Sequence, residues 1–148
     1  MKLKKIDTSV QNLQDFVVEN NHLEGFFGTG EEIASSDNIP IKHSFADQIY
    51  IRQMTMPKDY VIVGAIHNHE HVWFLLTGKV SINDNGNIID HVAPCYMVSS
   101  PGSKRVIYAH EESIFVNIHK NPSNTKDISQ LESEIVSMNV EEFNKINN

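Results

Sequence analysis

Three histidines alternate through Gly64-Ala65-Ile66-His67-Asn68-His69-Glu70-His71-Val72-Trp73-Phe74, a segment bounded by apolar runs. Successive side chains of an extended strand point to opposite faces, so His67, His69 and His71 would share one face. Imidazole is the commonest nitrogen ligand for Zn, Fe, Cu and Ni, and two of them at i and i+2 can share an ion. Residues i and i+4 of a straight strand lie about 13 Å apart. His67 and His71 can therefore meet at one ion only if the chain turns or bulges at Asn68 or Glu70. The spacing predicts a transition-metal site without naming the metal. The bland alternative is a polar outer face of hydrogen-bonded histidines.

The chain has eight histidines, six of them between His67 and His119. A tightly held ion needs a third or fourth ligand, for which His110, His119 and His43 are the candidates. A hairpin turning at Glu111-Glu112 puts Arg105, Ile107 and Ala109 on one face with Ile114, Val116 and Ile118. His110 and His119 then lie on the other face with Tyr108, Phe115 and Asn117, and a one-residue slip would exchange the faces. Lys104 and Arg105 follow a glycine turn and could clamp a carboxylate or phosphate, because Arg presents a planar fork of donors. A surface ion pair with Glu111 or Glu112 is the alternative. Tyr108 is a candidate proton donor, or else a core tyrosine. Trp73, Phe74 and Phe115 read as core, His91 as exposed, and Cys95 as a small buried hydrophobe rather than a nucleophile. No dinucleotide fingerprint, Walker loop or nucleophile elbow is present.

These residues need elements to hold them. Ser9 to Val17 carries a possible N-cap and apolar positions 10, 13, 16 and 17, one stripe of a short amphipathic helix. From about residue 40 the pattern changes to short strands and turns. Gln48 to Met54 alternates, Met56 to Asp59 turns, and Tyr60 to His67 and His71 to Leu76 are apolar runs. Lys79 to Asn83 and Ile88 to Val92 flank Asn85-Gly86, the strongest short-range hairpin signal. Cys95 to Val98 is a short strand that stops at Pro101-Gly102. Lys104 to Ala109 and Ser113 to His119 make the last expected hairpin. Ile128, Leu131, Ile135 and Met138 then space a carboxy-terminal helix, which Val140 to Ile146 extends. The division is an N-terminal helix and loop (1–40), a β-barrel (41–122) and a C-terminal helical segment (123–148). The fold class is all-β, a sandwich or barrel with no room for the crossover helices of a parallel sheet.

Composition narrows the function. The 148 residues carry 12 Lys plus Arg against 19 Asp plus Glu, a formal charge of −7. That balance argues against nucleic acid, which demands a basic footprint. No apolar run approaches the roughly 18 residues of a membrane span, and the amino terminus shows no signal peptide. A single cysteine excludes an intrachain disulfide and fits a reducing compartment such as the cytoplasm.

The segment Gly64 to Gly78, the Pro101-Gly102 turn and the final strands resemble the cupin superfamily, small jelly-roll β-barrels. The first cupin motif is Gly, five residues, His-x-His, three or four residues, Glu, six residues, Gly. Counted back from Gly78, His71 stands in the Glu place, and His67 and His69 supply His-x-His if two loop residues are missing. Without that deletion His67 takes the second His place and Ala65 the first. In the second motif, Pro-x-Gly-x-x-His, this chain reads Pro101-Gly102-Ser103-Lys104-Arg105 after Ser100. Arg105 stands where a ligand would be, and a guanidinium has no lone pair for a metal. From Ile41-Lys42-His43-Ser44-Phe45 to Tyr108-Ala109-His110 the chain looks like small cupin-like proteins encoded by bacterial viruses. There the second histidine of the run can be Thr, which implies more weight on His67 and His71 than on His69.

The resemblance implies a divalent transition metal (Fe, Zn, Mn or Ni) on His67, His69, His71 and His110. Arg105 would hold a small anionic substrate, and Tyr108 or His110 would act as acid or base. An all-His set resembles the iron site of thiol dioxygenases, whereas Zn or Ni would suggest hydrolysis or isomerisation. The competing class is a non-enzymatic viral accessory or assembly protein. A carboxylate ligand and a homodimer in the cytoplasm, of the host if viral, complete the expectation.

Overall fold

The computed structural model describes residues 26–28, 39–84 and 86–147. The expected helix at Ser9 to Val17 lies outside them. Twelve strands and two helices follow in order: β1 (Phe26–Gly28), β2 (Ile41–Ala46), β3 (Ile49–Met56), β4 (Val61–Val63), β5 (Ile66–His67), β6 (His71–Thr77), β7 (Lys79–Asp84), β8 (Asn87–Val92), β9 (Cys95–Ser99), β10 (Arg105–Ala109), β11 (Ser113–Lys120), α1 (Ile128–Ile135), β12 (Val136–Ser137) and α2 (Val140–Asn147). The all-β expectation holds, with helical structure after residue 122.

The strands make two five-stranded sheets, ordered β1-β4-β10-β7-β8 and β2-β3-β11-β6-β9, plus the small pair β12-β5. One core lies between the large sheets. Met54, Met56, Trp73, Leu75 and Phe115 come from the second, and Ile62, Val80, Ile82, Ile107 and Ala109 from the first. Alternation explains the choice: along β6, His71, Trp73 and Leu75 are buried while Val72 and Phe74 are only half-buried. Phe74 therefore sits on the outer face against Tyr96, 5.4 Å between ring centroids, and not in the core as expected. His91 is half-buried rather than exposed, because its ring sits edge-on to the core residue Trp73, 5.0 Å between centroids. Cys95 packs half-buried against the core, and burial raises its thiol pKa.

Two local expectations fail for physical reasons. β10 and β11 are not a hairpin: β10 pairs with β4 and β7, and β11 with β3 and β6. The Glu111-Glu112 connection crosses between sheets, so the faces of the two strands are set independently. The carboxy-terminal helix is also interrupted. After Ile135 the chain extends, Val136 pairing with His67 and Ser137 with Ile66, before α2 begins. No helix among the described residues is long and apolar enough to cross a membrane.

Candidate functional site

β5 is only two residues long, and the chain bends at Asn68 and His69 before β6 starts at His71. That bend brings together two residues a straight strand would hold far apart. The rings of His67 and His71 stack with centroids 4.2 Å apart. His119, on the inward face of β11, completes the cluster at 4.7 Å from His71 and 5.7 Å from His67. His69, between the first two, is exposed on the rim.

Arg105 enters the same cluster from β10 of the opposite sheet. Its Nη2 donates to His71 Nε2 (3.2 Å) and Asn117 Oδ1 (3.3 Å), and Nη1 donates to Ser99 Oγ. Its guanidinium carbon lies 5.8 Å from the Phe115 ring centroid. All four central residues are buried, with His67 8%, His71 3%, His119 6% and Arg105 4% exposed.

Backbone bonds fix this arrangement. The His67 amide donates to the Ser103 carbonyl and the Gly102 amide to the His67 carbonyl, while the Gly64 amide donates to the Arg105 carbonyl. Gly102 has φ +82, and its open face receives Phe143 of α2, with Cζ 3.2 Å from the place a Cβ would take. A side chain there would meet both backbone strain and a neighbour. Asn68 is fully buried behind the site. Its amide donates to the Ile135 carbonyl, its Nδ2 to the Glu134 carbonyl, and its Oδ1 accepts from Ser137 Oγ at 2.6 Å. The C-terminal segment thus fastens the strand that carries His67.

The three imidazoles are neutral. Burial first, then the Arg105 charge, lower His71 to about 3. His119 falls to about 3 through burial, then His71, Arg105 and Arg52. His67 is lowered well below its ordinary value by burial and Arg105. The tautomers follow from the contacts. His67 Nδ1 donates to the Ser103 carbonyl at 3.3 Å. His71 Nε2 accepts from Arg105, so its proton sits on Nδ1, a buried atom with no hydrogen-bond partner. The His69 backbone and the Asn117 side chain push His71 toward protonation, but less strongly than burial and Arg105 push it away. Outward from His119 the stacking continues to Tyr50 at 6.0 Å, whose hydroxyl meets exposed His43 Nδ1 at 2.6 Å.

The other expected site residues lie elsewhere. Tyr108 faces away from Arg105 on β10 and donates to Asp59 at 2.8 Å. His110 is half-buried beside it, with Nε2 2.6 Å from Ser81 Oγ, which in turn donates to Asp90. The structure therefore brings His67, His71 and Arg105 together, and leaves His69, His110 and Tyr108 outside the cluster. His119 belongs inside it. The false hairpin had hidden this, because it placed Arg105 and His119 on opposite faces. Ser99 and Asn117 carried no sequence signal beyond alternation.

A metal does not fit these side chains as arranged. Among the described residues no group of three or more His, Cys, Asp or Glu is placed to hold an ion. His67 and His71 stack with planes inclined by 26°, and His67 and His119 by 14°. Imidazole lone pairs lie in the ring plane, so near-parallel rings aim them past one another, beyond the roughly 2.0–2.1 Å reach of a metal–nitrogen bond. The Nε2 lone pair of His71 is, moreover, already taken by Arg105.

No family model matches the chain, and no curated protein does. Solved structures do. An RmlC-like cupin from Shewanella frigidimarina superposes with TM-score 0.52 at 17% identity, covering 70% of this chain and 94% of the other. KdgF from Halomonas sp. gives 0.52 at 11% identity over 58% and 82%. A cupin superfamily protein from Desulfitobacterium hafniense gives 0.50 at 12% over 59% and 81%. At such identities the likeness concerns architecture, and two facing five-stranded sheets around one core agree with it: the chain has the all-β cupin fold.

Proposed function

We propose that this cupin scaffold binds a small anionic molecule, of carboxylate type, at the His67, His71, His119 and Arg105 cluster. One observation carries the reading: a buried guanidinium is turned into three imidazoles that stay neutral. Arg105 bonds there to Ser99, His71 and Asn117. Charge-assisted bonds are roughly twice as strong as neutral ones, so a carboxylate can displace such partners. Arg52 adds positive potential, since its charge acts on His119 as well as on Tyr50. Exposed His69 marks the rim through which a ligand would approach.

Calorimetric titration with a panel of small carboxylates tests this. The wild type should bind some of them, and Arg105→Met should bind at least tenfold more weakly, which corresponds to about 1.4 kcal/mol. No binding, or equal binding by the variant, leaves Arg105 as a structural residue and favours a non-enzymatic assembly module of the viral accessory kind.

A second reading places a divalent transition metal (Fe, Zn, Mn or Ni) on the same imidazoles, for substrate activation. It draws on three neutral rings with centroids within 4.2–5.7 Å, whose planes would have to turn before their lone pairs met at one ion. It requires His71 to exchange Arg105 for the ion. The expected homodimer has a candidate surface in edge strand β9, where Tyr96 and Val98 are 66% and 58% exposed. Sedimentation of the wild type and of a Tyr96→Glu variant tests it: a monomeric wild type rules the dimer out.

A further inference from the structure

We propose that Arg52 and His119 anchor the anion, its carboxylate taking the open donors of the Arg52 guanidinium and the N–H of the His119 imidazole. The proposal rests on the anion-binding reading and names the groups that first hold the charge.

The chain has two arginines, and the charge of each acts on His119. Arg105 is engaged at the centre of the cluster with Ser99, His71 and Asn117. Arg52 is half-buried on β3, where alternation turns it to the same inner face as Tyr50, Met54 and Met56. Its neighbours in register are His43 on β2 and Asn117 on β11, and Tyr50 stands opposite His119. Arg52 and His119 are thus diagonal neighbours on adjacent strands, about 7–8 Å apart at the backbone and within reach of long side chains.

Among the described residues, neither the Arg52 guanidinium nor the His119 ring nitrogens make a hydrogen bond or an ion pair. The fully enclosed polar atoms without partners are His71 Nδ1 and Ser103 Oγ. The nitrogens of Arg52 and His119 are not among them, so they meet space that solvent reaches, although His119 is only 6% exposed. Native interiors rarely leave such donors unfilled, and here two of them open side by side.

Their chemistry is complementary to one ligand class. A guanidinium presents a planar fork that matches a carboxylate, and a neutral imidazole adds a single N–H donor. Glu132 of α1 is the carboxylate whose charge acts on Arg52. It is exposed and forms no ion pair with Arg52, which leaves the fork open.

Calorimetric titration with acetate, benzoate and succinate compares the wild type with Arg52→Met and Arg52→Lys. Arg52→Met should bind about tenfold more weakly or worse, and Arg52→Lys should recover part of the loss. Equal binding by the wild type and Arg52→Met overturns the proposal. If circular dichroism shows that Arg52→Met does not fold, the wild type decides by its two arginine Nε–H resonances, assigned through the backbone. Saturating benzoate should shift that of Arg52 together with the ring N–H of His119; an unmoved Arg52 resonance overturns the proposal. Binding that Arg105→Met weakens and Arg52→Met does not leaves the anion reading standing and removes this one, whereas no binding by the wild type removes both.

Discussion

Lowering the pH should unfold this protein through its buried histidines. His71 and His119 titrate near 3 in the folded chain, against an ordinary value of about 6.5, and His67 is shifted the same way. Above about pH 6.5 both folded and unfolded chains carry neutral imidazoles, and stability is at its full value. Below it the unfolded chain takes protons that the folded chain refuses, so stability falls until the folded values near 3 are reached. At pH 5 the loss is about 2 kcal/mol for each of His71 and His119, and His67 adds to it in the same direction. A domain of this size has about 5–15 kcal/mol in total. Urea unfolding followed by the fluorescence of Trp73, the single tryptophan and a core residue, reads this directly between pH 7.5 and 5. His119→Gln should make the slope shallower. Half-exposed His91 and exposed His43 are also lowered by burial and add little. A stability that is flat over this range, or imidazole resonances of the cluster titrating near 6, would refute the reasoning.

Asn68→Ala should cost about 2–4 kcal/mol, because it strands the Ser137 hydroxyl and the Glu134 carbonyl. The urea midpoint should fall with the slope unchanged, and a shift below about 0.5 kcal/mol would contradict the fastening role. Gly78→Ala should be more damaging than Gly102→Ala. Both residues have positive φ, but a Cβ at Gly78 would lie 2.1 Å from Ser113 Oγ and 2.5 Å from the Glu112 carbonyl, against 3.2 Å from Phe143 Cζ at Gly102. Melting temperatures in the opposite order would count against the packing described. His110→Ala should leave carboxylate binding within twofold of the wild type, since His110 lies with Tyr108 outside the cluster; a tenfold loss in titration would bring that outer face into the site.

Local chemistry was legible in the sequence where one strand pair or one turn decided it. Asn85-Gly86 announced the β7–β8 hairpin, and Gly86 has φ +89. The alternation of β6 announced which side of it is core. The requirement that the chain bend between His67 and His71 also followed from strand geometry alone, and the bend is there. What depended on chain crossings was not legible. Glu111-Glu112 reads equally well as a hairpin turn or as a passage between sheets, and only the second puts His119 beside Arg105. Val136 and Ser137 read as part of a helix, because their pairing partner lies some seventy residues earlier in the chain. Arg105 stood out as a departure from a ligand position, but its bonds to Ser99 and Asn117 are contacts across the barrel that no spacing encodes.

The fastening of the His67 strand by the C-terminal segment sets an order of events in folding. The large sheets are built from residues up to Lys120, and their core can close without α1, β12 or α2. β5 gains its strand partner only from Val136 and Ser137, a long loop closure that is entropically slow. His67 is therefore expected to join His71 and His119 late, on sheets that already carry them. Pulse-labelled hydrogen exchange should catch this delay. The Asn68 amide, bonded to the Ile135 carbonyl, should become protected after the amides of β6 and β11; simultaneous protection would mean that barrel and site form in one step.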